Sequence, residues 1–202
     1  QDTTRQDAMM TAADRASEEL GVVDGAFDQV LTSLTRASEL AVQLSNDTYS
    51  AADRLNASAE VQQLFQSVLG QINLRYGDRY VFGGMRDAAP PFDPSGNYLG
   101  DANTRRVEIA PGILQDASVR SDVAFKGAGG GIDVLTALSS FATALSANDT
   151  TGIRTAIRAL ADGTQQVTAS RSRAGAMMNV FDLASSTARI NRDTATAGRS
   201  KL

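Results

Sequence analysis

The chain has 202 residues, a net charge of −4, and neither cysteine nor histidine. Disulfides and thiolate metal sites are therefore excluded, and the commonest general base and metal ligand is missing. Without a basic cluster or a long apolar run, we expect no nucleic acid or membrane partner. We expect no cofactor, no bound metal and no enzymatic activity.

The first helix is predicted over residues 4–44, because apolar residues recur there in steps of three and four. The recurring residues are Ala13, Ala16, Leu20, Val23, Phe27, Val30, Leu34, Ala37, Ala41 and Leu44. An average repeat of 3.5 residues keeps one stripe against a supercoiled partner helix. The pattern predicts a long neighbour, in an ordinary bundle or in the rod of an assembly.

A second helix is predicted to follow a short polar break at residues 45–48. Ser50 and Asp53 form a capping-box pattern at its start, and the helix is expected to end near Tyr76. Its apolar face is predicted to contain Leu55, Val61, Leu64, Phe65, Val68, Leu69 and Ile72. The break is compatible with a hairpin and with a kink in a longer rod.

Residues 79–131 have a different character, with strand-like runs at residues 79–82 and 106–109 between proline and glycine turns. Val119, Val123 and Phe125 are placed on one face of a further extended segment. The stretch predicts a small antiparallel β unit that is too short to bury much surface alone.

Glycines at residues 127–131 resemble a phosphate loop, but no Lys-Ser/Thr pair follows them, so we interpret them as a hinge. Asp133 is the predicted N-cap of a helix over residues 134–147. A last long helix follows the turn at residues 148–152. Its predicted stripe consists of Ile153, Ile157, Leu160, Thr164, Val167, Arg171, Ala174, Met178, Phe181 and Ala188.

The first and last helices both carry stripes with a repeat near 3.5 residues and are therefore expected to pair. The predicted fold class is α+β, predominantly α. It is an elongated bundle of long antiparallel helices, a coiled-coil-like rod with a small antiparallel β insertion. The predicted division assigns residues 1–78 and 132–202 to the rod and residues 79–131 to the β-rich insertion.

Several local motifs resemble those of the bacterial flagellin family. They are Arg36, Glu39, Leu40, Ala41, Gln43 and Asn46 in the first helix, Phe82-Gly83-Gly84, Pro90-Pro91-Phe92 and Gly96-Asn97-Tyr98 in the β unit, and Arg173-Ala174-Gly175-Ala176 with Asn179 in the last helix. The aromatic strand that ends in Phe-Gly-Gly favours the branch of the family that forms the hook–filament junction.

The resemblance implies a structural, self-assembling subunit of the bacterial flagellum that joins hook to filament. Its implied partners are other copies of itself, hook-associated protein 1 and flagellin. The implied route is export to the cell exterior by the flagellar type III apparatus without a cleaved signal peptide. Filament flagellin itself and a soluble coiled-coil adaptor module are the alternatives.

The family's terminal segments, which order during assembly, are absent from this sequence. We therefore expect longer natural ends and a monomer in solution. The candidate subunit contacts are the polar residues Arg36, Glu39, Asn46, Arg171 and Arg173, which are expected on the outer sides of the rod.

Overall fold

The computed structural model describes residues 2–199 and confirms an α+β fold that is predominantly helical. Residues 1 and 200–202 of the predicted rod lie outside this range. The elements in chain order are α1 (Asp2–Leu44), α2 (Ala51–Ile72), β1 (Arg75–Tyr76), β2 (Arg79–Tyr80), β3 (Arg106–Ala110), β4 (Ile113–Asp116), α3 (Ser121–Lys126), α4 (Val134–Ser146) and α5 (Thr150–Arg199).

The first and last helices, α1 and α5, pack against each other along most of their length. Arg192 on α5 lies 3.6 Å from Asp7 near the start of α1, and Arg154 lies 3.4 Å from Asp47 just beyond its end. The two helices are therefore antiparallel. All ten predicted α1 stripe residues are buried, so that stripe is confirmed. We call these ten residues the α1 seam.

Four residues of the predicted stripe on α5 are not fully buried. Ile157, Thr164, Arg171 and Met178 are only partly buried. The residues that precede the first three of them, Ala156, Gly163 and Ser170, are buried instead. These three residues face other elements than α1. Gly163 lies against Ile132 and Val134, Ala156 lines the groove beside α4, and Ser170 lines a cleft beside the β unit. Helix α5 therefore buries a second side, which the predicted stripe does not include.

Helix α2 folds back beside α1, so the polar break is a hairpin. Glu60 on α2 accepts a hydrogen bond from Arg36, and Tyr76, just beyond α2, donates one to Glu18. The predicted capping box between Ser50 and Asp53 is present.

Two predictions for α2 are wrong. Leu55 is 56% exposed, because the buried face of the first turns consists of Arg54 and Ser58 instead. The helix also ends at Ile72, since Arg75 and Tyr76 pair with β2 in a short hairpin.

Buried Arg54 links two turns at the end of the rod that lies away from the chain termini. Its guanidinium donates to the backbone oxygens of Leu44 and Asn46 and to Oδ1 of Asn148 in the α4–α5 turn. A cation at the carbonyl end of α1 also opposes the negative end of the helix dipole. One side chain thus joins the α1–α2 turn to the α4–α5 turn.

The β unit consists of two separate two-stranded antiparallel sheets, β1–β2 and β3–β4. The extended segment predicted through Val123 and Phe125 is wrong, because these residues lie in helix α3. Ala124 between them is fully buried, and a buried run of this kind suits a helical turn better than an alternating strand. Gly127 then ends α3 in the left-handed conformation.

A buried carboxylate attaches the β unit to α1. Glu19, whose side chain is 5% exposed, accepts two hydrogen bonds from Arg105 at 3.0 and 2.8 Å and one from Arg79 at 2.9 Å. A buried carboxylate is stable only when it is paired and hydrogen-bonded. Glu19 therefore holds Arg79 and Arg105, and with them the β unit, against α1.

Four phenylalanines form the core where the β unit meets the rod. Phe27 of the α1 seam contacts Phe82 and Phe125 with ring centroids 5.5 and 5.6 Å apart, and Phe92 lies 5.9 Å from Phe125. All four are at most 1% exposed. Because the rings come from α1, α3 and two turns of the β unit, this cluster couples the insertion to the helices.

Replacing Phe27 by alanine is expected to lower the free energy of unfolding by about 3 to 5 kcal/mol, because the cavity touches three elements. Leu55→Ala is the matched control, with an expected change of about 0.5 kcal/mol or less at an exposed position. Urea denaturation followed by circular dichroism measures both. Equal losses in the two variants would contradict a shared aromatic core.

Candidate assembly surfaces

The described surface offers open grooves rather than a chemical pocket. One groove lies between α4 and α5 and is lined mainly by alanine, serine and threonine. Among residues 2–199, no three acidic side chains are grouped so that they could hold a metal ion. No helix in the same range is both long and apolar enough to cross a membrane. The candidate functional groups are therefore those on the sides of the rod.

Arg36 and Glu39 lie together on the exposed side of α1. The Arg36 Nε atom is 2.6 Å from Glu60, and its Nη1 atom is 3.4 Å from Glu39. The hydrogen bond to Glu60 is the main cause that raises the pKa of Arg36. Glu39 remains 61% exposed at its side chain and has free acceptor capacity.

Asn46 belongs to the turn between α1 and α2. Its backbone oxygen accepts a hydrogen bond from Arg54, and its side-chain oxygen accepts one from the Thr48 amide. Both contacts stabilise the chain reversal within one molecule.

Arg171 connects α5 to α1 inside the chain. Its guanidinium lies 2.8 Å from Asp24 and 2.7 Å from Asp28. These hydrogen bonds, with Asp24 as the larger cause, raise the pKa of Arg171 above its ordinary value. The pairs set the axial register of the two long helices.

Arg173 is exposed and, within residues 2–199, forms no ion pair or hydrogen bond. It borders a small cleft between α5 and the β unit that Asp116 and Met177 also line. Of the five candidate contacts, Arg173 is the cation with the greatest freedom to meet another molecule.

Sequence reasoning missed the internal roles of Glu19 and Arg54. A signal for Glu19 was present, because it begins a second seven-residue repeat on α1, followed by Ala26, Ser33 and Leu40. All four are buried on the side that faces the β unit and α2. Arg54 had no such signal, since its partners are backbone oxygens and a side chain 94 positions away.

The comparisons with known proteins agree with this geometry. Residues 1–86 match the family described as the bacterial flagellin N-terminal helical region, a range that runs from α1 to just past β2. The match confirms the resemblance to the bacterial flagellin family. A search among curated proteins finds no significant match.

The fold is similar to solved structures of flagellar proteins over nearly the full length of the chain. The chain is similar to FlgL from Xanthomonas campestris, with 18% identity, a TM-score of 0.84, and coverage of 98% of this chain and 100% of that one. Flagellar hook-associated protein-3 from Legionella pneumophila is 14% identical, with a TM-score of 0.85 and coverage of 98% of this chain and 96% of that one. FlgL from Bacillus cereus is 20% identical, with a TM-score of 0.77 and coverage of 93% of this chain and 98% of that one. The β unit is thus part of the shared architecture.

Arg171→Ala is expected to lower the free energy of unfolding by about 1 kcal/mol, because two partly exposed ion pairs between α1 and α5 are lost. Arg173→Ala, two positions away on the same helix and without a partner, should leave it unchanged. Thermal unfolding of the two variants side by side tests the difference. A larger loss at Arg173 would show that the register contacts are assigned to the wrong residue.

Proposed function

We propose that this chain is a structural subunit of the bacterial flagellum that joins hook to filament, as hook-associated protein 3 does. The observation that carries the proposal is the fold likeness to junction proteins over nearly the full length of both chains, β unit included. The family match over residues 1–86 supports the same reading. The role is mechanical, with no catalytic step.

In this proposal the rod transmits load and its exposed side groups make the subunit contacts. The α1 seam, the Arg171 pairs and Arg54 hold the rod in one register. Arg173, and Glu39 with Arg36, then face other subunits, with hook-associated protein 1 on one axial side and flagellin on the other. Surface ion pairs are weak singly, but a closed or helical assembly repeats each of them in every subunit.

Filament flagellin is the second candidate, favoured by the family described for residues 1–86. With its natural ends restored, a filament subunit should polymerise alone into long fibres, whereas a junction subunit should stop at short assemblies. Negative-stain electron microscopy of the purified full-length protein distinguishes the two. Long fibres from this protein alone would favour the filament role.

The coiled-coil adaptor is disfavoured by the packing of α1. An adaptor would need the seam of its long helix for a partner chain, yet α5 of the same molecule occupies the α1 seam. Analytical ultracentrifugation at micromolar concentration tests this point, and we expect a monomer. A stable dimer would restore the adaptor as a candidate.

Charge reversal at Arg173 should impair the junction without unfolding the subunit, because this exposed guanidinium forms no ion pair or hydrogen bond within residues 2–199. Cells that carry Arg173→Glu are expected to shed filaments and to swim poorly. Arg158→Glu is the matched control, since Arg158 is also exposed on α5 and forms no ion pair or hydrogen bond in the described chain.

Motility in soft agar and counts of attached filaments measure the effect of Arg173→Glu. An unchanged melting temperature of the purified variant shows that folding is intact. Normal motility and full filament retention would remove Arg173 from the proposed contact surface.

A further inference from the structure

Helix α5 carries an apolar strip that nothing in the described chain covers. Leu183 and Ile190 are 68% and 65% exposed, and they lie seven residues apart on the same side of the helix. Partly buried Val180 and exposed Thr187 continue this side in steps of three and four. We call these four residues the α5 strip. The spacing is that of a seam that fits a further helix.

The outer side of α1 has a shallow depression that could receive the side chains of the α5 strip. Gly21 and Gly25 lie one turn apart opposite the α1 seam, and a Cβ atom built at either position would meet nothing within 4 Å. Each glycine costs about 1 kcal/mol of helix stability relative to alanine. No contact with the described part of the chain offsets this cost, although two glycines four residues apart let another helix approach closely. We call this pair the α1 gap.

The charges of the two helices are opposite. Helix α1 carries eight acidic and three basic residues, and α5 carries seven basic and three acidic ones. Glu18 and Asp28 lie on either side of the gap. Each accepts a hydrogen bond within the molecule, from Tyr76 and from Arg171, and the Asp28 side chain stays 53% exposed. Arg189 lies next to the α5 strip, and like Arg173 it forms no ion pair or hydrogen bond among residues 2–199. Arg189 is therefore the cation on α5 that can meet acidic residues on α1 of another molecule.

We propose that the α5 strip of one copy packs into the α1 gap of a second copy, with Arg189 beside the acidic residues that flank the gap. The inference rests on the proposed function, because it names the neighbouring copy as the partner. The two surfaces are different, so the contact is heterologous and generates a ring or a helix of subunits rather than a closed dimer.

The register inside one molecule sets the offset between neighbours. Ser185 donates a hydrogen bond to Asp14, which places the α5 strip nearer to the chain ends than the α1 gap. The difference is about ten helical residues, or about 15 Å along the rod. Neighbouring copies are therefore staggered along the rod by roughly that distance.

Disulfide trapping tests the contact, because residues 1–202 contain no cysteine of their own. The full-length natural protein with Gly25→Cys and Leu183→Cys together replaces the normal one in a motile host. Isolated flagella are then oxidised and separated on a non-reducing gel. We expect a disulfide-linked ladder of this protein, at least about tenfold stronger than in either single variant, because assembly raises the effective concentration of the paired thiols.

The matched control is Gly25→Cys with Leu55→Cys, whose second site is similarly exposed on α2 but lies at the other end of the rod. It should give no ladder. If the protein is present in flagella but the test pair gives no ladder, the inference is overturned while the proposed function stands. If the unmodified protein is absent from flagella, both fail. Cross-linking to a different protein would overturn the choice of a second copy as partner.

A second variant separates assembly from folding. Gly25→Leu raises helix propensity and fills the α1 gap, so the purified monomer should melt at a higher temperature while the flagella lose the protein. A purely structural role of Gly25 predicts that stability and assembly change in the same direction. A stabilised monomer with unimpaired assembly would contradict the inference.

Discussion

The antiparallel contact between α1 and α5 is the constraint on which the other elements depend. It spans helices of 43 and 50 residues and buries a stripe of alternating three- and four-residue steps. Both stripes include small buried residues, such as Ala13 and Ala37 on α1 and Ala174 and Ala188 on α5. Small residues bury little area each, and stability therefore comes from the length of the contact rather than from its width.

Polar contacts decide how the long helices and the β unit are placed. The apolar stripe alone tolerates a shift by one heptad, whereas the ion pairs of Arg171 with Asp24 and Asp28 are satisfied in only one register. Glu19 acts in the same way for the β unit, because two arginines from separate segments must reach one buried carboxylate. These groups contribute modest energy and strong specificity.

The sequence was sufficient for the architecture and insufficient for the contacts. Apolar periodicity located α1 because every position of its seam is visibly hydrophobic, and the caps at Ser50 and Asp133 are local signals. The burial of Gly163 and Ser170 could not be recognised from the sequence, because it follows from contacts with the start of α4 and with the β unit. Polar character alone marks Arg171 and Arg173 equally as contact candidates. Only tertiary structure shows that Arg171 is engaged within the chain, whereas Arg173 forms no ion pair or hydrogen bond among residues 2–199.

The order of the elements has a consequence for folding kinetics. The two helices of the main contact lie at opposite ends of residues 2–199, so all the elements between them must be present before they can meet. Closing so long a loop is entropically unfavourable and raises the contact order, which slows folding. Until α5 emerges, α1 can form only its local hairpin with α2. During synthesis, the contact between α1 and α5 therefore cannot be completed before α5 has left the ribosome.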